Sequence, residues 1–492
     1  MKNKYFILII FSISILLIMN VFFSSCERNN YTTDSKDKLK FSTDTVKFDT
    51  IFTSTGSATK RFAVRNPNSK KTINIDRIFL AKGSQSKYQL NINGLPSNNK
   101  TDIELSPGDS IFIFVMVNIN PGKDEMLEMD SIIFLSNNNE QSVKLVAYGQ
   151  DVILIDGQTI MNDTIWTPLK PILINNSALV DTFATLTVQA GTKIFFHKNS
   201  SLFIKGTIKA EGQVENRILF TGDRLEYSYS EIPGQWGAYS YDDKGNLRGV
   251  FGGIHLLAGS RYNELKNVDI KNSTIGLQVD SVVTSDAPSV YLKNVNIENS
   301  QLIGLNALGA HIIAENCVFA NSGRYNVGCI IGGKYTFIHC TLANYWSGIR
   351  DNGQLMLNNY YTYKTPTGLD HVSYRPLESV YFGNCIIAGS KKTEISIDYN
   401  QGADMNLIFE NCLIQYEDTA KLKTLGLFSN NIFNKDHIFK KTQIPYDYSL
   451  DTLSPAKDKG KLEIGQLVPY DQKGTSRIVD NKPDLGAFER QE

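Results

Sequence analysis

Acidic, basic and imidazole side chains that could act on an acidic sugar occur together between positions 350 and 375. Arg350 and Asp351 are adjacent, and Asp370, His371 and Arg375 follow in the same segment. In β-elimination from a uronate, carboxylates hold calcium while an arginine or lysine acts as the base. Arg350, Asp351 and His371 are therefore candidate catalytic residues. Calcium is expected as a cofactor only if the protein is a lyase, and no other cofactor or metal site is predicted.

Aromatic residues crowd the same segment, and a smaller group lies near position 236. Aromatic rings stack on sugar rings and form apolar platforms with polar rims. They predict a carbohydrate-binding surface, although the same rings could instead pack an insertion against the rest of the fold. The predicted ligand-binding residues are Trp236, Tyr239, Trp346, Tyr360, Tyr361, Tyr363 and Tyr374.

The cysteines predict packing rather than chemistry. Six cysteines in 492 residues are too few for a disulfide scaffold, and no CxxC pair or Cys/His spacing indicates zinc. Cys317, Cys340, Cys385 and Cys412 recur at a repeat position otherwise filled by valine. That position favours small buried hydrophobic residues. A disulfide bridge, such as one between Cys317 and Cys340, could form but is not required.

The first 25 residues are expected to be an export signal. Lys2 and Lys4 precede an apolar run from Tyr5 to Phe23, and small residues stand just before Cys26. This arrangement resembles a bacterial lipobox, in which the cysteine receives the lipid and becomes the first mature residue. The alternative is an uncleaved membrane anchor. Residues 26–37 are polar and predict a flexible tether.

Charge excludes one class of partner. The chain carries 50 Lys+Arg against 50 Asp+Glu, so binding to nucleic acid through bulk positive charge is not expected. Removing Lys2 and Lys4 leaves 48 basic against 50 acidic residues, a net charge of −2. Acyl chains, rather than attraction to anionic lipid, would therefore hold the mature protein to a membrane.

Short alternating strands are predicted from Leu39 to Val152, separated by Asn-Pro, Ser-Pro-Gly-Asp and Asn-rich turns. About seven such strands make a β-sandwich the expected architecture. The sequences VRNPNSKKTINIDRI and ELSPGDSIFIFVMV resemble the immunoglobulin-like domains of the abnormal-spindle/Hydin type. We assign residues 38–155 to this domain and expect a spacer or binding module.

From residue 156 to residue 492 the chain repeats itself. An Asn or His recurs at spacings of 27, 22, 23, 45 and 27 residues. A second marker runs through Ile275-Gly276-Leu277, Ile303-Gly304-Leu305, Val327-Gly328-Cys329 and Gly348-Ile349. A period this short, without a helical stripe, predicts one turn of a β-solenoid per repeat. The recurring residues are Asn267, Asn294, Asn316, His339, Asn384 and Asn411.

Stacked coils place equivalent residues above one another at about 4.8 Å. The Asn column is expected at a bend, where asparagine tolerates left-handed backbone and its amide bonds to the same amide one coil away. Arg350 and Asp351, which follow the Gly348-Ile349 marker, are expected to be exposed at a coil edge. The predicted inward columns are Val268, Val295, Cys317, Cys340, Cys385 and Cys412, and Ile270, Ile297, Phe319, Leu342, Ile387 and Ile414.

This pattern resembles the right-handed parallel β-helix of the pectate-lyase-like superfamily. The stretch Gly191 to Asp223, followed by Gly234-Gln235-Trp236, is similar to the opening coils of its bacterial surface members. The segment Asp471 to Glu489 resembles the closing signature of many exported β-helix proteins. The resemblance spans residues 160–490 and predicts an all-β chain in which a sandwich is followed by a solenoid.

The resemblance leaves activity open, because one solenoid supports lyases, hydrolases, epimerases, adhesins and inert spacers. The chain has no Asn-Thr-Asp, Asp-Asp or Gly-His-Gly set in positions that resemble a polygalacturonase. The adjacent Asp242 and Asp243 lie in a polar insertion and are interpreted as a solvated loop.

These observations predict a lipid-anchored protein of the cell envelope, placed at the outer membrane. We expect the protein to bind polysaccharide or another surface ligand, or to be displayed on such a ligand, rather than to catalyse a reaction. A polysaccharide lyase or glycoside hydrolase is the alternative, and a structural envelope component is a further one. An enzyme needs acids and a base that converge in one groove, whereas a binding protein needs only aromatic and amide side chains there.

Overall fold

The computed structural model describes residues 30–53, 56–120, 127–244, 247–280, 287–365 and 367–490. The predicted export signal and Cys26 lie outside this part of the chain. The chain divides into two compact units, residues 1–151 and 152–492. The fold is all-β, as predicted. In the described ranges, no helix is long and apolar enough to cross a membrane.

The first unit is a sandwich of two five-stranded sheets around one core. In Ser110–Val117 every second residue is buried, since successive side chains of a strand point to opposite faces. Phe62 of one sheet meets Phe134 of the other at 6.4 Å between ring centroids. The first sheet contains Lys40–Phe41, Lys60–Arg65, Ser110–Val117, Tyr88–Ile92 and Leu95–Pro96, and the second contains Thr45–Phe52, Asn139–Gln150, Leu127–Ser136, Ile73–Leu80 and Asn99–Leu105.

The described part of the expected tether packs on this sandwich. The Thr32 amide donates to the Thr72 carbonyl at 3.0 Å, and Thr32 is only 3% exposed. The Asn68 side chain donates to Asp37 at 3.0 Å. Residues 30–37 therefore belong to the first unit, because their polar groups are satisfied there.

The second unit is a solenoid-like stack of parallel strands, called the β-stack below. Each coil contributes one strand to a ten-stranded sheet, ladder 1, and the 18-stranded sheet has two parts, ladders 2 and 3. Most coils contribute a strand to each of these two parts, but in the described ranges the last two coils contribute only to ladder 2. Ladder 1 contains Thr164–Trp166, Thr185–Gln189, Thr207–Glu211, Asn263–Lys266, Val290–Lys293, His311–Glu315, Gly333–Ile338, Leu377–Gly383, Met405–Glu410 and Leu427–Ser429.

In most coils the chain passes from ladder 1 to ladder 2 and then to ladder 3. Ile153–Ile160 and Ile172–Val180 run through both ladders 2 and 3. Ladder 2 continues with Lys193–Phe196, Ile218–Gly222, Val268–Lys271, Asn296–Glu298, Val318–Ala320, Thr341–Asn344, Ile386–Gly389, Leu413–Ile414 and Ile432–Phe433. Ladder 3 continues with Leu202–Ile204, Ile254–Leu256, Ile275–Val279, Ile303–Leu308, Tyr325–Ile330, Leu355–Asn358 and Ile395–Asp398.

Three antiparallel hairpins and a few short helical turns decorate the described part of the β-stack. The hairpins pair Tyr239–Tyr241 with Leu247–Val250, Tyr360–Lys364 with Asp370–Tyr374, and Phe439–Lys441 with Asp447–Leu450. The α-helices are Thr419–Lys423 and Leu462–Leu467, and 3₁₀ turns lie at Tyr227–Tyr229 and, in the first unit, Gly83–Gln85.

The asparagine column lies at the corner between ladders 1 and 2. Asn267 and Asn294 have φ values of 50° and 56°, in the left-handed region that asparagine tolerates. Asn294 Nδ2 donates to Asn267 Oδ1 at 2.9 Å, and Asn316 Nδ2 donates to Asn294 Oδ1 at 3.2 Å. The bend is confirmed at all six positions, whereas the amide ladder is confirmed for Asn267, Asn294 and Asn316 only. In later coils Asn384 Nδ2 lies 3.0 Å from His339 Nε2, and Asn411 Nδ2 donates to the Lys459 carbonyl at 3.4 Å.

Both predicted inward columns are buried. Every member, from Val268 and Ile270 to Cys412 and Ile414, is 0% exposed. The cysteines of the column are free thiols, and burial raises the pKa of the Cys317, Cys340 and Cys385 thiols well above the ordinary value. They are packing residues, as predicted, and the optional Cys317 to Cys340 bridge is not formed.

The second sequence marker was aligned wrongly beyond its first two coils. Ile275 pairs with Ile303, but Val327 pairs with Leu305, so the third unit is displaced by two residues. Gly348-Ile349 is not a strand, and Ile349 is 93% exposed. The glycines of these segments do not all occupy equivalent positions, so glycine could not define the register of the strands.

The segment after Asp451 returns along the corner of ladders 1 and 2. Arg477 is fully buried, and its Nη2 donates to Asn316 Oδ1 at 3.0 Å while its Nη1 pairs with Glu489 at 3.0 Å. Asp471 accepts the Glu489 amide at 2.8 Å, and Asp484 accepts the Arg490 amide at 2.7 Å. The residues of the closing signature therefore clamp the end of the chain onto the β-stack.

We expect Arg477→Ala to lower the free energy of unfolding of the second unit by about 3–5 kcal/mol, because it leaves a buried carboxylate without its partner. Urea denaturation followed by circular dichroism measures this change. The exposed Lys482 of the same segment supplies the control, and Lys482→Ala should change stability by less than about 0.5 kcal/mol. Equal effects of the two substitutions would contradict the clamp.

Candidate functional site

A row of polar side chains runs along the outward side of ladder 3. His255 lies between Ile254 and Leu256, which are in the core, so its side chain points to the other side of the strand. The pairing register places His255 beside Gln278 and Gln278 beside Asn306 in successive coils. These three residues are the polar row.

The polar row is covered although it faces away from the core. His255, Gln278 and Asn306 are 3%, 7% and 8% exposed. The Phe251 ring stacks on the His255 ring at 6.0 Å between centroids, and Gly252 approaches Gln278 so closely that a Cβ would lie 2.5 Å from the Gln278 Cβ. The end of the insertion between Gly222 and Ile254 therefore lies over the row.

A carboxylate orients the imidazole of the polar row. His255 Nε2 lies 2.8 Å from Asp280 Oδ2, and Gln278 Nε2 donates to Asp280 Oδ1 at 3.1 Å. Burial opposes ionisation of Asp280, but the hydrogen bonds from His255 and Gln278 outweigh it and hold the pKa of Asp280 below its ordinary value. Asp280 is thus an anion at neutral pH, which favours a proton on Nε2 of His255.

Three atoms of the polar row have no hydrogen-bond partner among the described residues: His255 Nδ1, Gln278 Oε1 and Asn306 Oδ1. With the proton of His255 on Nε2, all three accept hydrogen bonds. Such a row suits the hydroxyl groups of a ligand better than an anion. No group of three or more His, Cys, Asp or Glu residues in the described ranges could hold a metal ion.

The predicted aromatic loop forms the hairpin of Tyr360–Lys364 and Asp370–Tyr374, at the other edge of ladder 3. One side of the hairpin is anchored, since the Tyr360 hydroxyl donates to Asp398 at 3.0 Å and the Tyr374 ring packs on Gly402. The opposite side carries Tyr361, Tyr363 and His371.

The rings on this opposite side form an exposed row. Tyr361 and Tyr363 stack at 5.7 Å between centroids with an angle of 27° between their planes. His371 lies across the hairpin from Tyr363 at 5.1 Å. Tyr363 is 44% exposed. We call Tyr361, Tyr363 and His371 the aromatic row.

The aromatic residues of the other group do not share one role. Trp236 was predicted to bind ligand, and this is wrong, because the residue is 0% exposed. Its ring stacks on Phe196 at 4.0 Å and its Nε1 donates to the Lys271 carbonyl at 2.8 Å. An indole inside the core needs such a partner for its N–H, and this one fixes the middle of the insertion between Gly222 and Ile254.

Tyr239 and Trp346 are half-buried near the corner of ladders 2 and 3. The Tyr239 hydroxyl lies 2.9 Å from Thr274 Oγ1 and 3.4 Å from Gln301 Oε1. Trp346 packs over Gly323, where a Cβ would lie 3.3 Å from the indole ring and 2.2 Å from the Gln301 carbonyl oxygen. Both aromatic residues thus border Gln301.

The expected exposure of Arg350 is wrong. Its guanidinium forms two hydrogen bonds with Glu394, of 2.8 and 3.0 Å, and the two side chains are 2% and 0% exposed. Asp351 is exposed, as predicted, in the connection between ladders 2 and 3. His371 belongs to the hairpin between ladders 3 and 1. The structure therefore does not bring these three candidate catalytic residues into one site.

The polar row was missed by sequence reasoning. Aligning Ile254-His255-Leu256 with Leu277-Gln278-Val279 would have found it, but the insertion before Ile254 broke the repeat. A second imidazole and carboxylate pair was also missed: His197 Nδ1 lies 2.6 Å from Asp223 Oδ2. Burial raises the pKa of Asp223, although His197 and Arg224 oppose the shift. Asp242 and Asp243 lie at the turn of the first hairpin, with Asp243 exposed.

No family model and no curated protein match the chain. Among solved structures, the chain is similar to the periplasmic chaperone SfaE, with 13% identity over 23% of this chain and 58% of that chain and a TM-score of 0.17. It is also similar to a family 123 glycoside hydrolase from Clostridium perfringens, with 8% identity over 25% of this chain and 26% of that one and a TM-score of 0.18. The aligned region thus spans less than two thirds of either protein.

We expect Arg350→Ala to act on stability, lowering the free energy of unfolding of the second unit by about 3–5 kcal/mol because Glu394 is left buried without its partner. Thermal or urea denaturation measures this loss of stability. The neighbouring Asp351→Ala is the control and should change stability by less than about 0.5 kcal/mol. A stable Arg350→Ala protein would show that the ion pair has no structural role.

Proposed function

We propose that the protein is a lipid-anchored component of the cell envelope that binds polysaccharide on the outward side of ladder 3 and its neighbouring hairpin. The observation that carries this proposal is the aromatic row. Tyr361, Tyr363 and His371 lie side by side on one surface of a hairpin whose other surface is fastened by Tyr360 and Tyr374.

Anchoring matters because a binding surface that is already ordered pays little entropy when the ligand arrives. Sugar rings present flat C–H faces, which stack on aromatic rings. Lys364 and Asp370 pair across the same hairpin at 3.6 Å, but the pairing register places them on the surface of Tyr360 and Tyr374, opposite the aromatic row. Both side chains remain largely exposed near the turn of the hairpin.

We also propose roles for the remaining parts of the chain that are consistent with this function. Cys26 would carry the lipid at the outer membrane. The first unit would be an immunoglobulin-like spacer of the abnormal-spindle/Hydin type, and the second a right-handed parallel β-helix of the pectate-lyase-like kind.

A polysaccharide lyase or glycoside hydrolase is the second candidate, and one observation favours it. The Asp280 carboxylate orients the His255 imidazole as in enzymes that use histidine as a base. His255 Nδ1 is buried beneath the Phe251 segment, so this candidate requires that segment to move. It also predicts that His255→Gln abolishes depolymerisation.

We expect Tyr363→Ala and Tyr361→Ala each to weaken polysaccharide binding by about 2- to 10-fold, since one aromatic contact contributes about 0.5–1.5 kcal/mol. The measurement is affinity electrophoresis of the full chain in gels that contain uronate-rich or neutral polysaccharides. Tyr262, which is 63% exposed and belongs to neither insertion, supplies the control substitution Tyr262→Ala.

Two results would contradict the proposal: no retardation by any polysaccharide of a broad panel, or equal losses in Tyr262→Ala and Tyr363→Ala. The same panel, incubated with and without calcium and analysed for polymer size, separates binding from catalysis. A fall in size that disappears in His255→Gln would replace the binding function with the enzymatic one.

A further inference from the structure

A concave surface lies between the last hairpin, Phe439–Lys441 with Asp447–Leu450, and the closing segment that begins at Asp471. It has a volume of about 330 Å³, within the range of small-ligand sites. The hairpin of Phe439–Lys441 and Asp447–Leu450 contributes one wall, and the residues around Lys473 and Arg490 contribute the other. Three cationic side chains line it: Lys440, Lys473 and Arg490.

The cations are held in place without being neutralised. Lys473 Nζ donates to Ser449 Oγ at 3.0 Å and lies 5.0 Å from the centroid of the Phe488 ring. Arg490 Nη1 donates to the Asp451 carbonyl at 3.0 Å, and Lys440 is exposed at the rim. In the described ranges these three side chains form no ion pair within 4.0 Å. Neutral partners leave their positive charges available to a ligand.

The carboxylates nearby are already engaged. Glu489 lines the pocket, but it pairs with Arg477 at 3.0 Å and accepts the Asp484 amide at 3.1 Å. Asp447 accepts the Ser449 amide at 3.0 Å. Burial opposes ionisation of Asp447, but this hydrogen bond and the charges of Lys473 and Lys440 lower its pKa. The lining therefore keeps an excess of positive charge.

We propose that this pocket binds the anionic group of a small ligand, namely a carboxylate, sulfate or phosphate on a molecule about the size of one sugar ring. Two lysines and an arginine supply charge-assisted hydrogen bonds to the oxyanion. Leu450 and the Phe488 ring supply an apolar wall for the ring that carries it. The site belongs to the closing segment and does not depend on the aromatic row.

Isothermal titration calorimetry of the full chain, purified in detergent, tests the proposal with glucuronate, inorganic sulfate, inorganic phosphate and glucose as probes. At least one anion should bind, and glucose should not. Lys440→Gln and Lys473→Gln should each weaken the binding about 5- to 10-fold, the loss expected for a charged hydrogen bond at a partly exposed site. Rising sodium chloride should also weaken it.

Lys441→Gln is the matched control, because Lys441 is an exposed neighbour of Lys440 on the same strand that does not line the pocket. The affinity of the Lys441→Gln protein for the anion should stay within twofold of the affinity of the unchanged chain. The proposal is overturned if none of the three anions binds, if glucose binds as tightly as they do, or if Lys441→Gln weakens binding as much as Lys440→Gln. The preferred anion identifies a uronate, a sulfated or a phosphorylated ligand.

Discussion

Each coil from Asn267 onward passes from ladder 1 to ladder 2 through one residue in the left-handed conformation, and the register of the β-stack depends on it. The seven corner residues, from Asn267 to Asn430, have φ values between 49° and 56°. This backbone costs most residues about 1–2 kcal/mol, but asparagine adopts it more easily. So short a turn leaves no slack, and the next coil must lie in register for its amides and its apolar columns to meet.

The corner between ladders 2 and 3 is built differently. The interior of this corner holds polar groups, and Gln354 connects them. The backbone amide of Gln354 donates to Glu394 at 3.1 Å, and its side-chain Oε1 accepts from Asn326 at 2.6 Å. Arg350 neutralises Glu394 at the end of this network. A buried charge is tolerated only with such partners. Because the network and the Trp236 indole fix the connections from inside, their outer parts can differ in length and sequence.

These two corners explain how much the sequence could predict. The left-handed corner residue and the inward columns repeat in every coil from Asn267 onward, so Val268 and Ile270 could be placed from spacing alone. Arg350 and Trp236 occur once, beside insertions, and their burial depends on Glu394 and Lys271, which are 44 and 35 residues away. The polar row has no common residue type, since His255, Gln278 and Asn306 share only a position. Spacing reveals a position only when the residue type repeats.

The same constraint indicates where a ligand would lie. A one-residue corner cannot accept an insertion, so from Asn267 onward variable segments are confined to the other two corners. Both border ladder 3. Tyr239 and Trp346 lie at one edge, the aromatic row lies beyond the other, and the polar row runs between them with three unused acceptors. A polymer with flat sugar faces, aligned along ladder 3, would meet aromatic side chains at both edges, and the acceptors of the polar row would become available to its hydroxyl groups once the Phe251 segment moved aside.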